Sequence, residues 1–325
     1  MEVVADIASL APRPRALALG TFDGVHAGHR AVICRAVRLA RERGLTSAVV
    51  TFDRHPLAVI DPARVPRLLT SNEEKARLIA ELGPDELVML PFDEELAALT
   101  PAEFCDGLLA GALRARAVVV GENFNFGARG AGDTAQLRAC GAANGYEVEV
   151  CALVTEHGEP ISSTRIRRLL HDGELEEVRE ILGRPPSAGG VVVHGDKRGR
   201  ALGVPTANVD VEAGTIFPGR GVYAARAFVD GRWYRTAVNI GHNPTFQRRD
   251  EPTTHVTVEA FLLGFSGDIY DREIRLDFLH KIRDERRFGS AEALVAQMRL
   301  DIAAAGSLAD PELDAVGLAP DAGGA

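Results

Sequence analysis

Up to about residue 184, short apolar runs alternate with amphipathic stretches. The runs are ALALG (16–20), SAVVTF (47–52), ELVMLPF (86–92), RAVVVG (116–121) and YEVEVCALV (146–154). Runs this short read as strands covered on both faces, and their alternation with helices predicts βαβ units and a parallel sheet. HRAVICRAVRLARERG (29–44) puts Val32, Ile33, Ala36, Val37 and Ala40 on one helical stripe. It stops at Gly44, a residue suited to the left-handed position after a helix. Ser71 with Glu74, and Thr100 with Pro101 and Glu103, have the spacing of capped helix starts.

The period changes after ILGRPPSAGG (181–190), which gathers Pro and Gly behind a charged helix. Beyond it GGVVVHG, GVYAARAFVDGRWYRTAVNIG, THVTVEAFLLGF and EIRLDFLHKI read as strands, with Asp230-Gly231 as a hairpin turn. An antiparallel barrel, closed or nearly so, is expected there, followed by one helix over about 290–304. The expected fold class is therefore α/β plus all-β: a Rossmann-like parallel-sheet domain over 1–184 and a β-barrel domain over 185–305. Residues 306–325, rich in Ala, Gly, Pro and Asp, are expected to form a disordered tail.

A length of 325 residues fits two domains, each able to bury a core. The formal charge of −9 argues against a broad nucleic-acid surface, so any anionic ligand must be met by local groups. Cys34, Cys105, Cys140 and Cys151 form no C-x-x-C pair, and buried free thiols in a reducing compartment are expected. MEVVADIASLAPRPRALALG lacks the basic start and apolar core of a secretory signal, and no run approaches the roughly 20 apolar residues that span a bilayer. A cytoplasmic protein without nucleic-acid or membrane partners is expected.

In TFDGVHAGH (21–29), two histidines bracket Gly28 where a predicted strand gives way to a predicted helix. Free backbone N–H groups and the helix dipole make such a turn an anion site. His26 and His29 could be metal ligands, a general base or phosphate contacts, although two histidines alone make a poor zinc site. Other phosphate devices are missing. The lysines are Lys75, Lys197 and Lys281, none followed by Ser or Thr, so there is no Walker motif. GARGAG (127–132) has the wrong spacing for a dinucleotide fingerprint. In ISSTRIRRLL (161–170), Ser162, Ser163 and Thr164 either cap a helix or, with Arg165, face an anion. GENFNFG (121–127) is either a packed loop or part of the ligand-binding edge of the sheet. HGDKRGRALGVPTAN (194–208) is either a flexible basic loop or phosphate-binding backbone, with Thr206 and Asn208 as oxygen ligands for Mg²⁺.

GTFDGVHAGH, TFDRHP (51–56), VGENFNFGARGAGD (120–133) and ISSTRIRRLL resemble, in that order, the motifs of nucleotidyltransferases that adenylylate FMN. HGDKRGRALGVPTAN resembles the riboflavin kinase signature, and AVNIGHNPTF (237–246), HVTVEAFLLGF (255–265) and IRDERRFGS (282–290) resemble the kinase segments that follow it. Over about residues 15–305 the chain is thus similar to the bifunctional riboflavin kinase and FMN adenylyltransferase family, also called FAD synthetases. The resemblance implies that the barrel converts riboflavin and ATP to FMN. It also implies that the α/β domain joins FMN to a second ATP, giving FAD and pyrophosphate. Small-molecule substrates ATP, riboflavin and FMN, Mg²⁺ as cofactor and at most a transient homo-oligomer are expected.

Carried over position by position, the resemblance assigns adenylyltransferase ATP binding to Gly20, Phe22, Asp23, Gly24, His26, His29, Ser162, Ser163, Thr164 and Arg165. Among these, His26 and His29 are the catalytic pair. It assigns flavin binding to His55, Pro56, Asn123, Phe124 and Arg286, and kinase ATP binding to Gly195, Lys197, Gly199, Arg200, Gly203, Thr206 and Asn208. Thr206 and Asn208 would serve the metal, and Glu259 would be the catalytic base of the kinase. Departures occur at Phe261 and Gly264, where two polar residues are expected, and at Asp271, where glycine is usual. They put affinity or loop geometry of the kinase half in doubt. Two rival readings stay open: a ligand-binding regulator without chemistry, which predicts damaged motifs, and an enzyme that keeps the adenylyltransferase alone.

Overall fold

The computed structural model describes residues 1–194, 204–211, 214–242, 256–310 and 313. The chain divides into two compact units, Met1–Ser163 and Thr164–Ala325.

The first unit is built on six parallel strands: β1 (Glu2–Val4), β2 (Arg15–Leu19), β3 (Thr46–Phe52), β4 (Glu86–Leu90), β5 (Ala115–Gly121) and β6 (Glu147–Cys151). Their spatial order is β1-β4-β3-β2-β5-β6. From β2 the chain winds outward through β3 and β4, then returns to β2's other side as β5 and β6. The strand order reverses between β2 and β5, and ligands of open α/β sheets bind at the carboxyl ends of strands at such a switch point.

Five helices of this unit connect the strands: α1 (Ala27–Arg43), α2 (Leu57–Ile60), α3 (Asn72–Ala80), α4 (Glu94–Ala98) and α5 (Pro101–Glu103), the last running into π-helical turns over Phe104–Ala112. A sixth, α6 (Thr134–Asn144), precedes β6. Ala16, Ala18 and Val49 face α1, whose buried stripe holds the five expected residues and Leu39. Leu17, Leu19 and Val50 face the π-helical segment and Leu137 of α6. Both faces of the central strands are therefore covered, which is why those runs are continuously apolar.

Gly44 ends α1 at φ 63°, and Thr100 and Glu103 close the expected capping box on α5. Ser71 caps α3, while the Glu74 carboxylate pairs with Arg77 at 2.7 Å. Two sequence expectations are corrected. α1 begins at Ala27 rather than near His29, because His26 itself is the capping residue. All four cysteines are free, but among them Cys105 alone is buried and Cys34 is exposed.

Beneath the amino ends of the strands lies an ion pair that the sequence pattern did not signal. Arg15, 0% exposed, donates to both carboxylate oxygens of Glu86, at 2.6 and 3.2 Å. Its guanidinium also donates to the Ala11 and Arg13 carbonyls. Removing one partner strands the other charge in the core, so Arg15→Met is expected to lower stability by about 3–5 kcal/mol. Urea unfolding followed by circular dichroism measures this; a loss under about 1 kcal/mol would mean that the pair is not buried in solution.

A small hairpin, β7 (Thr155–Glu156) with β8 (Glu159–Pro160), leads to α7 (Ser163–Asp172) and α8 (Leu175–Leu182). The second unit then forms a closed antiparallel barrel of β9 (Ser187–Val193), β10 (Ala207–Val211), β11 (Gly221–Val229), β12 (Arg232–His242), β13 (Val256–Leu262) and β14 (Glu273–Arg283). Around the barrel the order is β10-β13-β12-β11-β14-β9. Asp230 (φ 49°) and Gly231 (φ 78°) join β11 to β12, and positive φ at both positions is what a type I′ hairpin requires. In this unit α7 and α8 lie with the barrel: the Gly219 N–H donates to the Leu170 carbonyl at 2.9 Å, and His280 of β14 meets Glu176 at 2.7 Å. Compactness thus divides at Ser163, ahead of the change of period near 184.

The terminal helix, α9 (Ala291–Ser307), is capped by Ser290. It packs Ile302 and Ala305 against Ala224, Ala237 and Phe261. The expectation of disorder from residue 306 needs correction. Arg235 donates to the Leu308 carbonyl, Asp310 pairs with Arg226 at 3.5 Å and Leu313 is 1% exposed. Buried partners therefore hold the chain to at least Asp310; the remainder of the expected tail, apart from Leu313, lies outside the described residues.

Candidate active sites

Gly20 follows β2 directly, and a side chain there would meet the Phe22 ring at 2.9 Å. Phe22 (φ 49°), Gly24 (φ 85°) and Val25 (φ 42°) all adopt left-handed backbone, a tight winding that delivers the chain to the start of α1. The Asp23 carboxylate holds this turn from below, accepting from the Leu69 and Thr70 N–H groups at 2.9 and 3.2 Å. Gly24 N–H donates to Thr70 Oγ1 at 3.2 Å, and Thr51 Oγ1 donates to the Thr21 carbonyl at 2.9 Å. The turn is thus fixed to β3 and to the segment ahead of α3.

His26, 4% exposed, caps α1: its Nδ1 accepts from the His29 N–H at 3.3 Å. The two imidazoles stack, with centroids 3.6 Å apart and planes 17° from parallel, and the Phe22 ring meets His29 edge-on at 5.3 Å. His29 Nδ1 is buried without a hydrogen-bond partner, so what the ring exchanges with a ligand passes through Nε2. Burial first, and the neighbouring His26 second, hold the His29 pKa well below the ordinary histidine range. The site is a helix N-terminus faced by two stacked imidazoles, the geometry of an anion cradle.

Ser163 Oγ donates to the Asp23 carbonyl at 2.9 Å, placing that serine at the same turn. Ser162 is half-buried beside it. Thr164 and Arg165 belong to the second unit; Thr164 is exposed, while Arg165 is buried with its guanidinium paired to Glu177 of α8. At the end of β3, His55 Nδ1 accepts from the Leu57 N–H at 3.2 Å, and Pro56 precedes α2. Asn123 and Phe124 follow the carboxyl end of β5. Asn123 is exposed, its carbonyl accepting from Asn125, and Phe124 stacks on Phe126 at 5.8 Å. The carboxyl ends of β2, β3 and β5 therefore carry most of the residues assigned to ATP and flavin in the first half.

In the barrel, Glu259 of β13 is paired in register with Asn208 of β10 on one side and Asn239 of β12 on the other. Directly opposed residues share a face. The flanking rows, Ala207–Ala260–Val238 and Val209–Val258–Ile240, are buried, whereas Asn208, Glu259 and Asn239 are half-buried. The row is thus a carboxylate between two amides, with Thr206 one residue ahead of β10. Gly195, Lys197, Gly199, Arg200 and Gly203 lie outside the described residues. Arg286 is exposed, pairs with Gln297 of α9 and lies 5.0 Å over the Phe288 ring.

The departures have structural explanations. Phe261 packs with Ile302 and Leu308 under the terminal helix. Gly264 (φ 70°) and Asp271 (φ 61°) occupy left-handed turn positions, which Gly and Asp both tolerate. Sequence reasoning missed Asn239, Lys75 and the Asp23 anchor at Leu69 and Thr70. A lysine on the apolar stripe with Leu78 and Ile79 was the available signal for Lys75.

A parallel sheet with an anion cradle at its switch point, followed in one chain by a barrel bearing a carboxylate between amides, defines a two-domain, nucleotide-using transferase. Family models agree in both halves: FAD synthetase matches residues 9–165 and riboflavin kinase matches residues 182–309. The bifunctional riboflavin kinase/FMN adenylyltransferase of Listeria monocytogenes is 39% identical, covering 88% of this chain and 90% of the relative. The Escherichia coli (strain K12) protein of the same description is 36% identical, covering 93% and 96%. A crystal structure from Streptococcus pneumoniae, described as a macrolide-efflux protein, matches with a TM-score of 0.83 at 29% identity, covering 94% of this chain and 99% of that one. Efflux is said of that protein; among the described residues here, no helix is long and apolar enough to cross a membrane. The chain belongs to the bifunctional riboflavin kinase/FMN adenylyltransferase family and makes FAD from riboflavin in two ATP-dependent steps.

Proposed function

We propose that the two steps are divided between the halves of the chain, FMN adenylylation within 1–184 and riboflavin phosphorylation within 185–305. The observation that carries this reading is the stacked His26–His29 pair on the start of α1, at the sheet's switch point. A triphosphate placed there meets free backbone N–H groups and imidazole donors. The FMN phosphate attacks the α-phosphorus of ATP and the bond to pyrophosphate breaks. That nucleophile is already an anion, so the step needs orientation and charge stabilisation rather than a base. His26, His29 and Ser163 supply stabilisation at the turn, while His55, Pro56, Asn123 and Phe124 receive the flavin.

In the barrel, Glu259 takes the proton of the riboflavin ribityl hydroxyl as its oxygen attacks the γ-phosphorus, which frees ADP. Thr206 and Asn208 fit a magnesium ion: both offer neutral oxygen donors, half-buried, and Asn208 lies directly across from the carboxylate. The metal would neutralise phosphate charge. The four free cysteines support a location in a reducing compartment such as the cytoplasm.

Incubation with riboflavin, ATP and Mg²⁺, with products resolved by chromatography, is expected to yield FMN and then FAD. Excess EDTA is expected to stop both conversions, and added Mg²⁺ to restore them. An unchanged rate under chelation would remove the metal from this reading.

A further inference from the structure

Neither step as assigned above uses Lys75, yet its charge is buried in the unit that carries the anion cradle. The residue is 7% exposed on the inner stripe of α3, and its Nζ donates to the carbonyl of Phe52, the last residue of β3, at 2.7 Å. Two carboxylates act on the ammonium: Asp23 and Asp53. Asp23 belongs to the turn before α1 and holds the Leu69 and Thr70 N–H groups. Asp53 heads the segment that leads to His55 and Pro56. Its carboxylate accepts from the Phe92 N–H at 2.9 Å and pairs with Arg54, and its carbonyl accepts from Asn72 Nδ2 at 2.5 Å. On α3 itself, Glu74 is paired with Arg77.

Two carboxylates thus lie at the carboxyl ends of β2 and β3, where two phosphate-bearing substrates must converge. Arg54 offsets part of the Asp53 charge; what remains, together with Asp23, would repel both. Resting on the siting of adenylyl transfer at the α1 turn, we propose that Lys75 is a positioning residue for that step: its buried ammonium, anchored on the carbonyl that ends β3, offsets the charge of Asp23 and Asp53 at the carboxyl ends of β2 and β3, where the anionic substrates meet. Burial pushes its pKa down to about 8, against the pull of Asp23 and Asp53. The charge is therefore lost as pH rises through that value, within reach of an activity assay.

The test compares full-length wild type, Lys75→Met and Lys75→Arg between about pH 6.5 and 9.5, following FAD formation from FMN and FMN formation from riboflavin. At pH 7, Lys75→Met is expected to lower kcat/KM for FAD formation by about 10–100-fold, the range typical of residues that orient a site through others. Lys75→Arg should recover most of it, and FMN formation should be equal in all three. Wild-type FAD formation should decline as pH passes about 8. That limb should be absent from Lys75→Met and displaced upward in Lys75→Arg. Equal impairment of both variants, or one pH profile shared by all three proteins, would make Lys75 a packing residue and overturn the proposal. His29→Ala assayed alongside separates the underlying reading. FAD formation retained in Lys75→Met but lost in His29→Ala overturns the role of Lys75 alone; the reverse pattern overturns the siting at the turn, and the proposal with it.

Discussion

His29→Ala is expected to lower FAD formation from FMN by about two to three orders of magnitude, the typical cost of removing a preorganised donor from developing charge. Riboflavin phosphorylation by the same protein should be unchanged. The imidazole is held in place on two sides, stacked on His26 at 3.6 Å and met edge-on by Phe22 at 5.3 Å, so it is oriented before substrate arrives. Burial and the neighbouring His26 keep it neutral at pH 7, which makes it an N–H donor rather than a fixed cation, as suits an imidazole at a helix N-terminus. Linkage gives a second readout. Below the unfolded-state value of about 6.5, the unfolded chain binds a proton that folded His29 resists, so stability must fall as pH drops through that range. The wild type should therefore lose more stability than His29→Ala between about pH 7.5 and 5.5, measured as urea midpoints. Chromatography of FMN and FAD reads the activities. Equal loss of both would assign His29 to the stability of the chain rather than to adenylyl transfer.

Elements with strong periodicity were legible in the sequence because burial alone dictates them. The continuous apolar runs of β2 to β5 follow from helices on both faces, and the alternating second half follows from a barrel with one face inward. β1 was not legible. It has three residues, two of them exposed, and owes its place to pairing with β4 rather than to any pattern of its own. The packing of Asp310 and Leu313 escaped for a related reason: a low-complexity segment is held by Arg226, a partner more than 80 residues away in sequence. At the sites, the histidine turn could be read because its chemistry is local, strand end to helix start within ten residues. Its support was not readable, since Leu69 and Thr70 reach it from more than 40 residues further along the chain. Asn239 stayed hidden until strand register set it beside Glu259.

Glu259→Gln is expected to give the opposite activity pattern: FMN formation falls by about 10²–10⁴, the usual contribution of a positioned base, while FAD formation from added FMN persists. The amide keeps the size and the hydrogen-bonding reach of the carboxylate, so it can still sit between Asn208 and Asn239. What it cannot do is accept a proton. Because deprotonation of an alcohol is needed only as the new bond forms, the loss should appear in kcat, with KM for riboflavin little changed. Large rises in KM would instead assign Glu259 to substrate binding, and retained turnover would remove it as the base. The sequence departures do not weaken the expectation that wild-type kinase is active. Phe261 is two residues along β13 but packs with Ile302 and Leu308, and Gly264 and Asp271 occupy backbone conformations that both residue types tolerate. A defect confined to kcat in Glu259→Gln, beside an active wild type, would thus locate proton transfer at the carboxylate that the barrel register sets between two neutral amides.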